Sequence, residues 1–431
     1  MKATFRPLIA AGVAAVCLAT PAVLAAPSHA GAPVVSDPGV VTDWNAIAAR
    51  TIFTENATPI PSSALYFGFV SLAVHDAVVA IEGGFEPYLE QRGSRNASSE
   101  AAAATAAYRV LRHYFPASAA NLRADYRASL ADIPRGDAMA SGKRVGEIAA
   151  NQIIRLRRND GRNATVPLVV DLVPGVWRPT PDAFAPMAVS WLGFVEPLLL
   201  DSPTQIPLPG PDALDTDAYA RDFAEVDAYG VKDGSSRSAE QTETALFWNA
   251  NAVLQYQVAL RDQVIRRGLD IADSARAFAL LNSATADSLI ACWRAKYEYA
   301  YWRPVTAIRM ADTDGNDATE PDPEWTPLVQ TPPYPEYTSG HACITGVATG
   351  TLSHLFGADA IDLDVSSSVT GTSRHYDSAD ALDEETMNAR IWLGIHFREA
   401  MTDGNQLGHD VSDWATTHFF KPTARHSEVR L

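Results

Sequence analysis

The sequence predicts an all-α protein: two packed helical bundles, joined by an irregular Pro-rich crossover, with minimal β structure. Three observations carry this expectation. Apolar residues recur at three- and four-residue spacing through most of the chain. The connections between those periodic segments are short, so long amphipathic helices must pack side by side. Ten prolines fall between Pro167 and Pro211, and there the pattern fails.

Taken in order, residues 1–30 read as a secretory signal peptide. Lys2 and Arg6 form a basic start, Leu8 to Leu18 is apolar, Pro21 breaks the run, and Ser28-His29-Ala30 is a small-x-small cleavage site. Cleavage near Ala30 would leave a secreted or periplasmic protein. No later stretch reads as long and apolar enough for a membrane helix. Residues 31–164 form the expected N-terminal bundle, with helices at 43–56, 62–81, 98–114 and 136–158; Asn159-Asp160-Gly161 stops the last. The crossover is 165–212. Residues 213–431 form the C-terminal bundle, with helices at 216–229, 238–267 and 272–302 and an irregular stretch at 312–337. A helix at 339–356, a strand at 365–375 and one or two helices at 383–418 complete it.

The chain carries a net charge of −17, and loss of Lys2 and Arg6 with the leader takes it to −19. An acidic surface argues against nucleic acid and anionic membranes as partners, and makes any cluster of Lys and Arg notable. Beyond the leader only Cys292 and Cys343 remain; they could pair, or be two small buried thiols. The run Asp312 to Asp317 lacks EF-hand spacing and reads as an Asx-rich turn. His75-Asp76 reads as a buried structural pair, and Asp287 as packing or capping.

Three clusters in the C-terminal half bear chemistry. In the first, Lys296 and Arg303 are seven residues apart, which on a helix returns to within about 20° of one azimuth. Trp293 lies one turn earlier, and Pro304 places Arg303 near the helix end. The neighbours Tyr297, Tyr299, Tyr301 and Trp302 are aromatic, so these cations sit on a largely buried helix and need an anionic partner. In the second, Tyr334-Pro-Glu-Tyr-Thr-Ser339-Gly340-His341 leads into an apolar helix; Ser339 is either a plain N-cap or part of an anion site at the helix start. In the third, Arg390 and His396 are six residues apart, about 120° around a helix. His396 alone would read as a core histidine.

In order, Lys-x6-Arg-Pro, Ser-Gly-His and Arg-x5-His resemble the signature of the vanadium haloperoxidase and type 2 phosphatidic acid phosphatase (PAP2) superfamily, over roughly the last 150 residues. The helix bearing His75-Asp76 and the segment 239–248 are similar to secreted bacterial haloperoxidase-type members. The resemblance implies a bound orthovanadate, with phosphate able to occupy the same site. Lys296, Arg303, Arg390, Ser339 and Gly340 would hold its oxygens, His396 would bond vanadium, and His341 would act as acid/base. It implies oxidation of halide by hydrogen peroxide to hypohalous acid, with halide or a small organic substrate as partner. The alternatives are a secreted acid phosphatase using a phosphohistidine at His396, and a non-catalytic oxyanion binder. Trp293 and Tyr334 match positions beside the halide in fungal chloroperoxidases, and would equally serve as core packing. The sequence departs from the family pattern at Thr338 (usually Pro) and Ala389 (usually Ser). The family's acid four residues after the apical His is Ala400 here, with Asp403 three further on.

Overall fold

The computed structural model of the protein describes residues 36–358 and 360–423, and these are mostly helical. The leader read at 1–30 lies outside the described residues. In the first half, α1 (Gly39–Ala49) runs on through a π-helical turn at Arg50–Glu55 and is followed by α2 (Ile60–Glu82), α3 (Ser99–Tyr114), α4 (Ala119–Ser129) and α5 (Asp137–Leu156). Periodicity located all of these but α4, which buries only Leu122 and so has no apolar stripe to read. Ser98 caps α3 by accepting from the Ala101 amide at 3.0 Å. The alanines of α3 face small residues of α5, where a methyl on Gly146 would strike the Ala102 carbonyl.

One expectation needs correcting here. α2 is long and apolar enough to cross a membrane by length and composition. It is nonetheless 89% buried over its most apolar window, packed against α3, α5 and α9 (Ile271–Tyr299). A helix apolar on every side is satisfied by a protein core as well as by lipid, and here the core supplies the surroundings.

The crossover has no long helix, and hydrogen bonds from its flanks fix its path. The carboxylate of Asp287, fully buried on α9, accepts from the amides of Leu198, Leu199 and Leu200 at 2.6, 2.6 and 2.8 Å. Burial pushes this carboxyl up to about 6, against the pull of the three amides. Arg157, also buried, donates to the carbonyls of Glu196 and Pro197. Asp287→Ala would orphan three buried amides at about 1–3 kcal/mol each. We expect it to lower unfolding stability by at least about 3 kcal/mol, read from the urea midpoint of the purified chain.

The second half contains α6 (Asp217–Gly230), α7 (Ala239–Phe247), α8 (Ala252–Arg267), α9, α10 (Pro304–Arg309), α11 (Gly340–Phe356), β1 (Leu363–Ser366), β2 (Ser373–Tyr376), α12 (Ala379–Trp392) and α13 (Arg398–His418). Three boundaries differ from the sequence reading, each for a local reason. The helix expected at 238–267 is two helices, because Asn251 caps α8 by accepting from Leu254 N at 3.1 Å. The helix expected at 272–302 stops at Tyr299, since Ala300 is left-handed (φ 44°). The Trp302 amide then bonds the Gly175 carbonyl of the crossover at 2.9 Å. The strand expected at 365–375 is an antiparallel hairpin pairing Leu363 with Tyr376 and Ser366 with Ser373, turned at Gly371 (φ 71°). The last region, expected as one or two helices, is two: α12 and α13 are separated by residues 393–397. Gly394 is required in that gap on two counts: its φ is 78°, and a methyl there would press on the Gly230 carbonyl.

Run 312–317 forms Asx turns as expected: Asp314 Oδ1 accepts from Asn316 N at 2.8 Å and Asn316 Oδ1 from Ala318 N at 3.0 Å. Cys292 and Cys343 are both free and buried. His75 is buried, bonding the Glu86 carbonyl at 3.0 Å, and Asp76 accepts from the Tyr88 and Leu89 amides.

Candidate oxyanion site

The boundaries that the sequence placed least well are the ones that build the site. Lys296 lies in the last turn of α9, and Arg303 lies past the helix end as the N-cap residue of α10, so the two do not share one helix as their spacing suggested. Arg390 is on α12, whereas His396 is in the gap before α13. Helical azimuth therefore does not govern that pair either. Ser339 and Gly340 open α11, and His341 follows in its first turn.

All three cations are buried. Lys296 is 0% exposed and its ammonium donates to the carbonyls of Pro335 (2.9 Å), Glu336 (3.0 Å) and Thr338. Arg303 is also 0% exposed. Its Nε donates to Tyr334 O at 2.8 Å and its Nη1 to Ile395 O at 2.6 Å. Arg390 donates through Nη1 to Trp248 O at 2.9 Å. That carbonyl is available because the chain breaks between α7 and α8. Burial lowers all three, Lys296 to about 8 and Arg390 to about 10, and the charge of Arg303 adds to the effect on those two.

Three donors remain unused. Arg303 Nη2, Arg390 Nε and Ser339 Oγ are buried with no hydrogen-bond partner. Ser339 stands at the N-cap position of α11, yet its side chain makes no capping bond. A buried hydroxyl or guanidinium N–H without a partner costs about 1–3 kcal/mol, so three of them on one set of residues is a signature of a binding site.

His396 is the centre of the set. Its Nε2 lies 3.2 Å from Arg303 Nη1 and its Nδ1 2.8 Å from Glu336 Oε1. After burial, the charges of Arg303, Lys296 and Arg390 and the neighbouring His341 all press its pKa well below the usual value. The structure thus brings Lys296, Arg303, Arg390 and His341 around one imidazole. His341 keeps partial exposure, and its Nε2 lies 3.2 Å from the carbonyl of Ala250, again in the break between α7 and α8. Burial and then Arg390 hold His341 well below its usual pKa, so the side chain is neutral at pH 7.

Trp293 and Tyr334 form one aromatic wall, with ring centroids 4.9 Å apart. The Tyr334 ring faces Lys296 at 5.1 Å and Arg303 at 5.0 Å. The Trp293 indole donates to Ala188 O at 3.2 Å, which ties the crossover to the site. A methyl on Gly340 would sit 3.2 Å from the Trp293 ring, so the start of α11 abuts the same wall.

One residue was missed. The acid sought after His396 is not the one that serves it: Asp403 accepts from the Tyr337 hydroxyl at 2.5 Å, and His396 takes Glu336 as its partner. The signal was present in the sequence, since Glu336 is the one acid inside the segment 334–341, which precedes the apolar helix. Burial pushes the Glu336 carboxyl up to about 8, against the pull of Arg303 and Lys296.

The chain is similar to known proteins in sequence and in fold. Residues 276–424 match the family described as the VCPO second helical-bundle domain. Vanadium chloroperoxidase of Curvularia inaequalis is 30% identical over an alignment of 138 residues, a match that covers 26% of this chain and 22% of that protein. The chain thus matches less than a quarter of the length of that curated relative. A solved structure described as the first bacterial vanadium-dependent iodoperoxidase aligns with a TM-score of 0.75 at 22% identity, covering 90% of this chain and 97% of that one. A holo-type bacterial vanadium-dependent chloroperoxidase aligns at 0.66 and 18% identity, covering 86% and 92%. At such identities these structures establish a shared helical fold. With the family match, they relate the chain to the vanadium haloperoxidases.

Proposed function

We propose that this relative of the vanadium haloperoxidases holds orthovanadate at His396 and uses hydrogen peroxide to oxidise halide to hypohalous acid. The observation that carries the reading is the set of unused buried donors, Arg303 Nη2, Arg390 Nε and Ser339 Oγ, beside the His396 imidazole. All three are donors, so the residues present fit a tetrahedral oxyanion. Bound vanadate would supply a Lewis acid that activates peroxide toward halide.

Each side chain has a part suited to its chemistry. Arg303 and Arg390 offer planar forks to oxygens, while Lys296 contributes a point charge. Ser339 and the Gly340 amide donate from the positive end of α11. His396 offers the Nε2 lone pair. His341, neutral at rest, is ready to take a proton, and an anion placed against Arg390 would raise its pKa by cancelling the repulsion that lowers it. Trp293 and Tyr334 would form the apolar wall against which halide sits. Cleavage of the leader near Ala30 would place this chemistry outside the cytoplasm.

The test is bromination of a phenolic dye by the purified chain with hydrogen peroxide and bromide, with and without added orthovanadate. Vanadate-dependent turnover is expected. Absence of turnover together with vanadate-inhibited hydrolysis of a phosphate monoester would move the assignment to a phosphatase, for which the same cradle and a nucleophilic His396 would serve.

Ser339 separates a binding role from a capping one. Ser339→Ala removes a hydroxyl that has no partner, so thermal stability should hold or rise by about 1 kcal/mol. Orthovanadate affinity should fall roughly 10-fold or more, the loss of one charge-assisted hydrogen bond. A capping serine would give the opposite pair of results: stability lower by about 1 kcal/mol and affinity unchanged. Calorimetric unfolding and a vanadate titration read both.

A further inference from the structure

We propose that Glu336 is the positioning residue of this site, holding His396 as the tautomer whose Nε2 lone pair faces the oxyanion. The inference deepens the reading above and rests on His396 as the residue that meets the anion.

The two bonds of the His396 ring agree on one proton position. Arg303 can only donate, so at 3.2 Å from Nη1 the Nε2 atom must be the acceptor. Nδ1 then carries the hydrogen and donates to Glu336 Oε1 at 2.8 Å. The same oxygen accepts from the Phe397 amide at 3.0 Å. One atom therefore fixes both the ring and the backbone that follows it. The opposite tautomer would put N–H against N–H at Arg303 and lone pair against Glu336 Oε1, which already accepts from the Phe397 amide.

Glu336 is itself rigidly placed. It is 0% exposed, its amide donates to Tyr301 O at 2.9 Å, and its carbonyl accepts from Lys296 at 3.0 Å. The carboxylate makes no hydrogen bond to Lys296 or Arg303, and its second oxygen, Oε2, has no partner. An acid set among cations for charge balance would be expected to bond them. This one bonds the imidazole and the next amide, so its work is on His396. Through its own carbonyl it also sets the Lys296 ammonium, which ties the spacing of a cation and the His396 imidazole to a single residue.

The experiment compares the full chain with Glu336→Leu and Glu336→Gln, each labelled with 15N-histidine. The His396 resonances are identified by their loss in His396→Gln. Long-range 1H–15N spectra of the vanadate-free chains report the tautomer, and titration with orthovanadate reports affinity. The parent chain should show His396 with its proton on Nδ1. Glu336→Leu should populate the Nε2–H form and weaken orthovanadate binding by about 10- to 100-fold. Glu336→Gln should rescue both readouts, because the Phe397 amide selects the amide oxygen for the shared position.

A parent His396 protonated on Nε2 would overturn the proposal. So would an unchanged tautomer and affinity in Glu336→Leu, or damage in Glu336→Gln equal to that in Glu336→Leu. Should Glu336→Leu not fold, the parent spectrum and the glutamine variant still decide it. Failure of the parent chain to bind orthovanadate would overturn the vanadate reading instead, and the tautomer spectra would still judge Glu336.

Discussion

His396→Ala should remove vanadate-dependent halide oxidation, lowering kcat/KM by roughly 10^3 or more, the scale seen when one preorganised group is taken from a reacting centre. The imidazole is 2% exposed and sits between Arg303 and Glu336, and neither neighbour offers a nitrogen lone pair in place of Nε2. Loss of activity must be separated from loss of structure. The Phe397 amide keeps its bond to Glu336 in the variant, so the loop at 393–397 should remain anchored. Steady-state kinetics beside near-ultraviolet circular dichroism checks both. Residual vanadate-dependent turnover within tenfold of the parent would show that another group meets the anion.

Arg303→Lys is expected to be nearly as severe although it keeps the charge. The guanidinium spreads its donors over Tyr334 O, Ile395 O and His396 Nε2, and leaves Nη2 free for a ligand. An ammonium has one donor centre on a flexible stem and cannot span these directions. Loss of at least two bonds from a charged donor, at about 1.5–3 kcal/mol each, predicts orthovanadate binding weaker by roughly 100-fold or more and a lower melting temperature. Part of that energy is structural, because the buried carbonyls of Tyr334 and Ile395 lose a donor. Titration and calorimetry on the same preparation separate the shares. An affinity within threefold of the parent would mean that charge alone holds the anion.

What the sequence made legible was local. The Lys296, Arg303, Ser339, His341, Arg390 and His396 spacings mark a cradle because each short motif lies at a helix end or loop whose position follows from nearby residues. Periodicity likewise found α2, α3, α5, α6 and α9, which carry an apolar face over several turns. It missed α4, which buries one leucine. It also misjudged the chain at 248–251, where Asn251 divides a run that is apolar on both sides. That break matters chemically, for it turns Trp248 O to Arg390 and Ala250 O toward His341. Glu336 escaped for another reason: its partner His396 is 60 residues away, and the acid was sought downstream of the histidine. Its signal lay upstream instead, where Glu336 is the one acid in the segment 334–341.

The crossover carries one more consequence. Val169 is 84% exposed and Leu172 64%, and the backbone at 168–172 makes only local bonds. On either side the chain is moored: Pro167 O accepts from the Tyr297 hydroxyl at 3.2 Å, and Trp177 N donates to Ala300 O at 2.6 Å. Further along, Asp287 grips Leu198 to Leu200. A polypeptide divided within 168–172 would therefore lose a covalent link and almost no tertiary bonding. The packing of α2 on α9 would serve as the interface between the two fragments. A chain divided there is expected to reassemble from its two fragments, with every residue of the proposed oxyanion cradle on the second.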